Sequence, residues 1–311
     1  MNAAPGRRCC CPAGPRHWLA TGVAYLASAS FCLADNNPSG HRGEMSIGYQ
    51  YIHIDGYEAT FGKLDLGTTD THILNFDVSF AVTDRWSVSL GIPLVRKRYH
   101  GPLPHDPDSI IPPADQENID DGKFRTDFQD FHLGVNYRAW ENANFSFSPF
   151  ISYGTPSHDY PFFGNAAIGQ NLWKLELGFD LVYVPTFSYW YFRFAPSYEF
   201  VEETLGVNIN NVRVNAAAGY FVTDRVSLNA FVLAKQGKGL DFPEDFPPPR
   251  NDEFWFNHDR MARHNYVNLG LGLEWQVDPM YHVSLSWMTM VHAEQTHIMQ
   301  DTITMGLSKA F

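Results

Sequence analysis

After Ala34 the chain contains no cysteine: Cys9, Cys10, Cys11 and Cys32 all fall in the first 34 residues. Disulfides are therefore excluded from the remainder, and an exported domain must be held together by other means. No run of 18 apolar residues follows Asp35, which excludes a membrane-spanning helix. Helical periodicity is almost absent as well, so a bundle is a poor fit. Positive charge is scarce, with 22 Lys and Arg against 34 Asp and Glu and a net charge of −12. A chain this acidic is not expected to bind nucleic acid.

The first 34 residues differ in kind from the rest. Arg7, Arg8 and Arg16 precede an apolar stretch from Trp18 to Leu33 that ends in small residues, the pattern of a secretory signal peptide over 1–34. At ~16 residues the stretch is short of the ~20 that a spanning helix needs. Phe31 stands before Cys32, where a lipoprotein would carry a small residue. Removing this segment takes away three basic residues and no acidic ones, so residues 35–311 carry a net charge of −15.

What is present is alternation. Aromatic residues make up 15% of the chain while its mean hydropathy is only −0.26, a combination that suits strands with one apolar and one polar face. In the last segment Ile303, Met305, Leu307 and Phe311 share one face, and Thr302, Thr304, Gly306, Ser308 and Ala310 the other. Lys309 interrupts the apolar face near its end, where a long side chain reaches an interface.

The same reading yields twelve strands, near 44–54, 71–82, 85–97, 128–139, 144–154, 171–183, 188–200, 211–222, 225–236, 264–277, 280–291 and 298–311. Their links alternate between tight and long. Two stretches 140 positions apart, "FAVTDRWSVSL" and "YFVTDRVSLNAF", with "WQVDPMYHVSL" as a third, read as tight turns at one end, set by Asp and Pro. Short turns at one end and long loops at the other predict a transmembrane antiparallel up-and-down β-barrel over 35–311, with both termini in the periplasm. A secreted β-sandwich also alternates. Its strands are usually shorter than these.

Phased by its apolar face, each strand turns ionisable residues toward the lumen: Asp77, Asp130, His132, Arg138, Lys174, Glu176, Asp180, Arg193, Arg213 and Glu274. They form either a solute path with local field gradients or a salt-bridged filling of a narrow bore. The long loops carry aromatics instead, Tyr160, Phe162 and Phe163 in one and Phe242, Phe246, Phe254, Trp255 and Phe256 in another. Exposed aromatics need something to meet. They could form an apolar entrance, fold inward as a plug, or anchor on lipid.

No metal site or cofactor is expected. The acidic loop "HDPDSIIPPADQENIDDG" lacks the ligand spacing of a calcium loop. Histidines near the outer rim, His53, His72, His100, His292 and His297, lack the spacing of a helical zinc pair. No G-x-S-x-G motif appears and the lipid phase offers no nucleophile, so an enzyme is not expected.

The stretches "FAVTDRWSVSLGIPL" (80–94) and "DFQDFHLGVNYRAWENANFSFSPFISYGTPSHDY" (127–160) resemble the outer-membrane transporter family linked to the meta-cleavage pathway of phenol degradation. Gln129-Asp130, Leu133-Gly134, Tyr137-Arg138 and Thr155-Pro156 stand where that family has its "GD-x-x-LG-x-KYR" strand and "P-TGD"-like strand end. Asn136 replaces the usual Lys, and "GTPSHD" departs from "PTGD". The resemblance implies a barrel that passes small organic molecules, aromatic ones among them.

The expected function is therefore an outer-membrane channel or transporter for small organic compounds, aromatic or apolar. The alternative is a low-conductance structural or surface-binding barrel. The expected partners are outer-membrane lipid, the barrel assembly machinery, which would read Ile303, Met305, Leu307 and Phe311, and small organic solutes.

Overall fold

Alternation over ten or more residues gives each segment an apolar and a polar face, and the chain resolves this by wrapping one sheet into a closed ring. The computed structural model describes residues 42–101 and 119–311. The expected signal peptide and most of the acidic loop lie outside the described residues. The strand segments are β1 (Gly43–Ala59), β2 (Gly62–Ala81), β3 (Trp86–His100), β4 (Arg125–Phe128), β5 (Asp130–Tyr137), β6 (Trp140–Glu141), β7 (Phe145–Pro156), β8 (Lys174–Tyr183), β9 (Trp190–Val201), β10 (Asn211–Thr223), β11 (Val226–Gly237), β12 (Asn265–Gln276), β13 (Tyr281–Glu294) and β14 (Thr296–Ala310). Segments β4, β5 and β6 form a single stave with breaks at Gln129 and at Arg138-Ala139, because β4 and β5 both pair with β3 while β5 and β6 both pair with β7. The barrel thus has twelve staves, all antiparallel.

Closure is made by the two chain ends. β1 pairs with β14 from Glu44 opposite Ala310 onward. Beyond that pair the Phe311 carbonyl accepts from Arg42 and Gly43 at 3.0 and 2.9 Å, and the Phe311 amide donates to Gly43 at 2.8 Å. Among the described residues every stave is thus paired on both sides, apart from the short segments β4 and β6, which pair only with β3 and β7, and closure satisfies the backbone in a medium without water.

The outer face is apolar along every stave. Ile303, Met305, Leu307 and Phe311 are each more than two-fifths exposed, and Leu90, Leu133, Ile151, Leu228 and Leu271 are about half exposed or more. An aromatic girdle circles the tight-turn end. There Trp86 lies 4.5 Å from Tyr137, Trp140 5.1 Å from Phe145, and Trp190 5.2 Å from Tyr220, ring to ring. Lys309 extends over the Tyr281 ring at 5.7 Å, in line with its expected place at an interface.

The tight turns are where expected, but a different residue holds two of them. In both "VTDR" turns the threonine hydroxyl is the acceptor: Thr83 from Arg85 and Trp86 at 3.2 and 3.0 Å, and Thr223 from Arg225 at 3.1 Å. Asp takes that part only in the third turn, where Asp278 accepts from Met280 and Tyr281 at 2.7 and 2.9 Å. A hydroxyl two residues back closes the same local ring as a carboxylate.

Two of the links expected to be long are tight. β1 and β2 run to 17 and 20 residues and turn at Thr60-Phe61, and β13 and β14 turn at Gln295. Asp55-Gly56 and Gly67 read as loop in sequence. In the fold Gly56 (φ 78°) sits at a register shift between Asp55 and Tyr57, so the glycine makes a bulge inside a strand and does not end it. Two single helical turns, α1 (Glu253–Phe256) and α2 (His258–Met261), occur in the loop after β11. No helix among the described residues is long and apolar enough to cross a membrane.

Candidate functional site: the barrel interior and its roof

The inner face has two unlike walls. On β5 and β8 to β10 it is charged. The registers place Glu176 opposite Glu199 and Glu199 opposite Asn211, a like-charge pairing that would be unfavourable alone. Arg213 resolves it by reaching Glu199 at 3.1 Å and Glu176 at 4.0 Å, while Ser197 donates to Glu176 at 2.5 Å and Asn211 to Glu199 at 2.9 Å. Lys174 lies 3.7 Å from Asp130, and Arg193 bonds Asp180 at 2.8 Å. Seven of the ten inward residues expected from sequence therefore meet partners in this network or beside it, His132 completing the group through its nearness to Asp130 and Lys174.

The other three stand apart. Arg138 pairs with Glu141 at 3.1 Å at the tight-turn end. Asp77 lies against Gly91 with no ion-pair partner among the described residues. Glu274 faces His282 at 3.3 Å. Sequence phasing missed Glu199, Lys235 and His282, although alternation from Phe200, Leu228 and Tyr281 points all three inward.

The opposite wall is apolar. Phe231, Met288 and Met299 are almost wholly buried, with Ile52, Ile54, Leu233 and Met290 packed against them. Met288 lies directly opposite Gly270, and a Cβ on Gly270 would collide with the Phe231 ring, so the bare glycine lets the phenyl lie flat on the wall. Inward methionines were legible in principle, since Trp287 faces outward and fixes the phase of Met288 and Met290.

Over both walls lies a roof. The loop between β11 and β12 forms a cluster of Phe246, Trp255 and Met261, with Phe242, Phe254 and Phe256 packed on it. These aromatics are not an exposed rim, as their position in a long loop suggested. Phe246 and Trp255 are 2% and 4% exposed, and Tyr160 and Phe163 1% and 3%. The reason is mutual burial: His258 stacks on Trp255 with centroids 4.2 Å apart, Phe163 meets Phe256 at 5.5 Å, and the Arg260 guanidinium covers Phe162 at 4.4 Å. On one side Phe242 packs on Tyr57 at 5.6 Å and its amide donates to Gln295 at 2.8 Å. On the other, Arg260 donates to the Asn171 carbonyl at 3.1 Å and Gln170 to the Asp259 carbonyl at 2.9 Å. Those anchors stand on opposite sides of the ring, so the loop spans the mouth.

Two roof groups have displaced protonation equilibria. Burial, then the charge of Asp130 and the hydrogen bond to it, holds the Tyr160 phenol well above its ordinary range. Burial, then Lys235 and His297, pushes the His264 imidazole down to about 3. Among the described residues no three His, Cys, Asp or Glu are grouped as metal ligands would be. Of the rim histidines, His53 binds Asp70 at 3.0 Å, His72 meets the Tyr49 hydroxyl at 2.8 Å, and His297 packs on Tyr57.

A closed antiparallel ring, apolar outside, girdled by aromatics, charged and apolar within and roofed at one end, defines a β-barrel of the outer-membrane porin type. Its fold is that of the crystal structure of an outer membrane channel from Pseudomonas putida F1, with a TM-score of 0.66, 13% identity, and coverage of 87% of this chain and 96% of that one. The translocator domain of the autotransporter NalP from Neisseria meningitidis gives a TM-score of 0.51 at 10% identity, covering 90% of this chain and 92% of that one. No curated protein matches in sequence. The family model described as "Putative MetA-pathway of phenol degradation" matches residues 68–298, and the chain belongs to that family.

Proposed function

We propose that the protein is an outer-membrane channel for small organic solutes of apolar or aromatic character. The observation that carries this reading is the inner apolar wall. A bore for hydrophilic solutes gains nothing from turning Phe231, Met288, Met299 and Ile54 inward, whereas thioether and phenyl groups packed on one another, 3–5% exposed for the first three, form a soft, adaptable seam that a flat apolar solute parts as it passes. The path continues upward. Ile54 is opposite Met299, and just above it Tyr57 is opposite His297 and touches Phe242 of the roof. The charged wall, closed by its ion pairs, keeps the rest of the section rigid, and the roof sets when the mouth is open. Membership of the phenol-degradation family and the fold shared with the Pseudomonas outer membrane channel agree with this reading.

The remaining expectations belong to the same proposal. The chain is exported by its leader, handed to the barrel assembly machinery through its last strand, and acts without chemistry on its solute. The roof and the ion pairs favour a second reading, a barrel of low conductance. Uptake into proteoliposomes decides between them: phenol-class solutes should enter faster than sugars of similar size, and Met288→Asp with Met299→Gln should reduce that preference severalfold. Equal entry of both solute classes, unchanged in the variant, would reject the apolar path. No entry of either would favour the low-conductance barrel.

A further inference from the structure

The outward face of β3 changes character abruptly. Trp86, Val88, Leu90, Ile92 and Leu94 face outward in succession, and the next outward residues are Arg96, Arg98 and His100. From Trp86 to Arg96 is about 33 Å of strand, or about 25 Å of height at a tilt near 40°, which matches the height of an outer-membrane apolar band. The arginines therefore stand at the level of the outer-leaflet head groups, above an unbroken apolar column.

Their geometry is set by protein groups. Phe124 lies between them, with the Arg96 and Arg98 guanidinium carbons 4.3 and 4.4 Å from its ring centre. Arg98 is further held by Asp70 at 3.1 Å, and Asp70 also takes Tyr51 at 2.9 Å and His53 at 3.0 Å. Arg96 differs. It is exposed, and among the described residues it has no carboxylate partner, so its fork of donors is oriented by the ring and left facing the lipid side. A planar guanidinium stacked on an aromatic face suits bidentate recognition of phosphate.

We propose that Arg96, seconded by Arg98 on Phe124, binds the phosphate of a phosphorylated glycolipid of the outer leaflet, with the acyl chains lying along Leu94, Ile92 and Leu90. Phosphate on a sugar head group fits because the level is that of the lipid surface and because Tyr49, Tyr51, His53 and His72 beside it offer polar edges to a saccharide. The site rests on the outer-membrane location and not on transport, so it stands or falls separately from the solute path.

The test is lipid retention on the full-length barrel in detergent, read by native mass spectrometry, with diphosphorylated lipid A, its dephosphorylated counterpart, phosphatidylglycerol and inorganic phosphate as probes. Diphosphorylated lipid A should be retained at least about tenfold better than its dephosphorylated form, and Arg96→Gln should abolish that difference, a change of about 1.4 kcal/mol. Arg96→Lys, which keeps the charge without the fork, should retain an intermediate amount and serves as the readout if Arg96→Gln does not fold. Solute uptake by Arg96→Gln should match the parent. Equal retention of both lipid A forms, equal retention of phosphatidylglycerol, binding of inorganic phosphate alone with the same strength, or an unaltered Arg96→Gln would each overturn the proposal.

Discussion

Phe231 lies flat across the backbone of Gly270, in the space that any side chain at that position would claim. The contact sets the shape of the apolar wall, because Met288 and Met299 pack on the same ring. Gly270→Ala should push Phe231 off the wall and destabilise the barrel by about 1–3 kcal/mol, the usual range for overpacking. Urea unfolding followed by tryptophan fluorescence measures it, and Gly270→Ala with Phe231→Leu should recover most of the loss.

Removing Arg213 leaves Glu176 and Glu199 facing each other with the charge that joined them gone. Arg213→Met should cost about 3–5 kcal/mol, as for a broken buried pair. Neutralising both acids in the same chain, Glu176→Gln and Glu199→Gln, should restore much of that stability. A triple variant no better than Arg213→Met would show that the network contributes little.

Acid should loosen the roof. The His264 imidazole is held at about 3 in the fold against an ordinary value near 6.5, so the folded state resists a proton that the opened loop accepts. The stability this contributes is complete above pH 6.5 and falls progressively as the pH drops from about 6.5 toward 3. Limited proteolysis within 238–263 should accelerate across that window, and His264→Asn should flatten the dependence.

Topology is tested on intact cells. A tag within 238–263 should be accessible to added protease and one at Thr223-Asp224 protected; the reverse pattern would invert the barrel.

Deleting Phe311 removes three backbone hydrogen bonds across the seam to Arg42 and Gly43 and the terminal aromatic of the outward face. The shortened chain should accumulate in the periplasm without heat-modifiable barrel. Membrane fractionation with and without boiling checks it.

The staves were readable because lipid on one side and a small bore on the other force strict alternation, and residues such as Ile303, Met305 and Leu307 write it plainly. The tight turns were readable for the same local reason. What alternation cannot convey is partnership across staves. Glu199 escaped attention because its meaning depends on Arg213 and Glu176, which are distant in sequence and adjacent only by register. Loop aromatics posed the opposite difficulty: Trp255 and Phe246 look exposed by position, and only the closed ring, by bringing β7, β13 and β1 around one mouth, gives them something to pack against. Gly56 misled because a glycine in a bulge and a glycine in a loop have the same local signature.

The side-chain bonds that close the tight turns, from Thr83, Asn142, Ser188, Thr223 and Asp278, bear on the order in which the molecule is built. Each links residues two or three positions apart, so each hairpin can nucleate from its own sequence with little chain entropy lost. One pairing is of another sort, the seam between β1 and β14, which joins positions some 260 residues apart and yields nothing until all the other staves are in register. Before that moment the sheet has two long edges able to pair with any strand that arrives. Errors in a turn therefore delay a single hairpin, whereas errors at the seam leave a nearly complete molecule open and adhesive, and the chain has put its first and last strands at that point of greatest exposure.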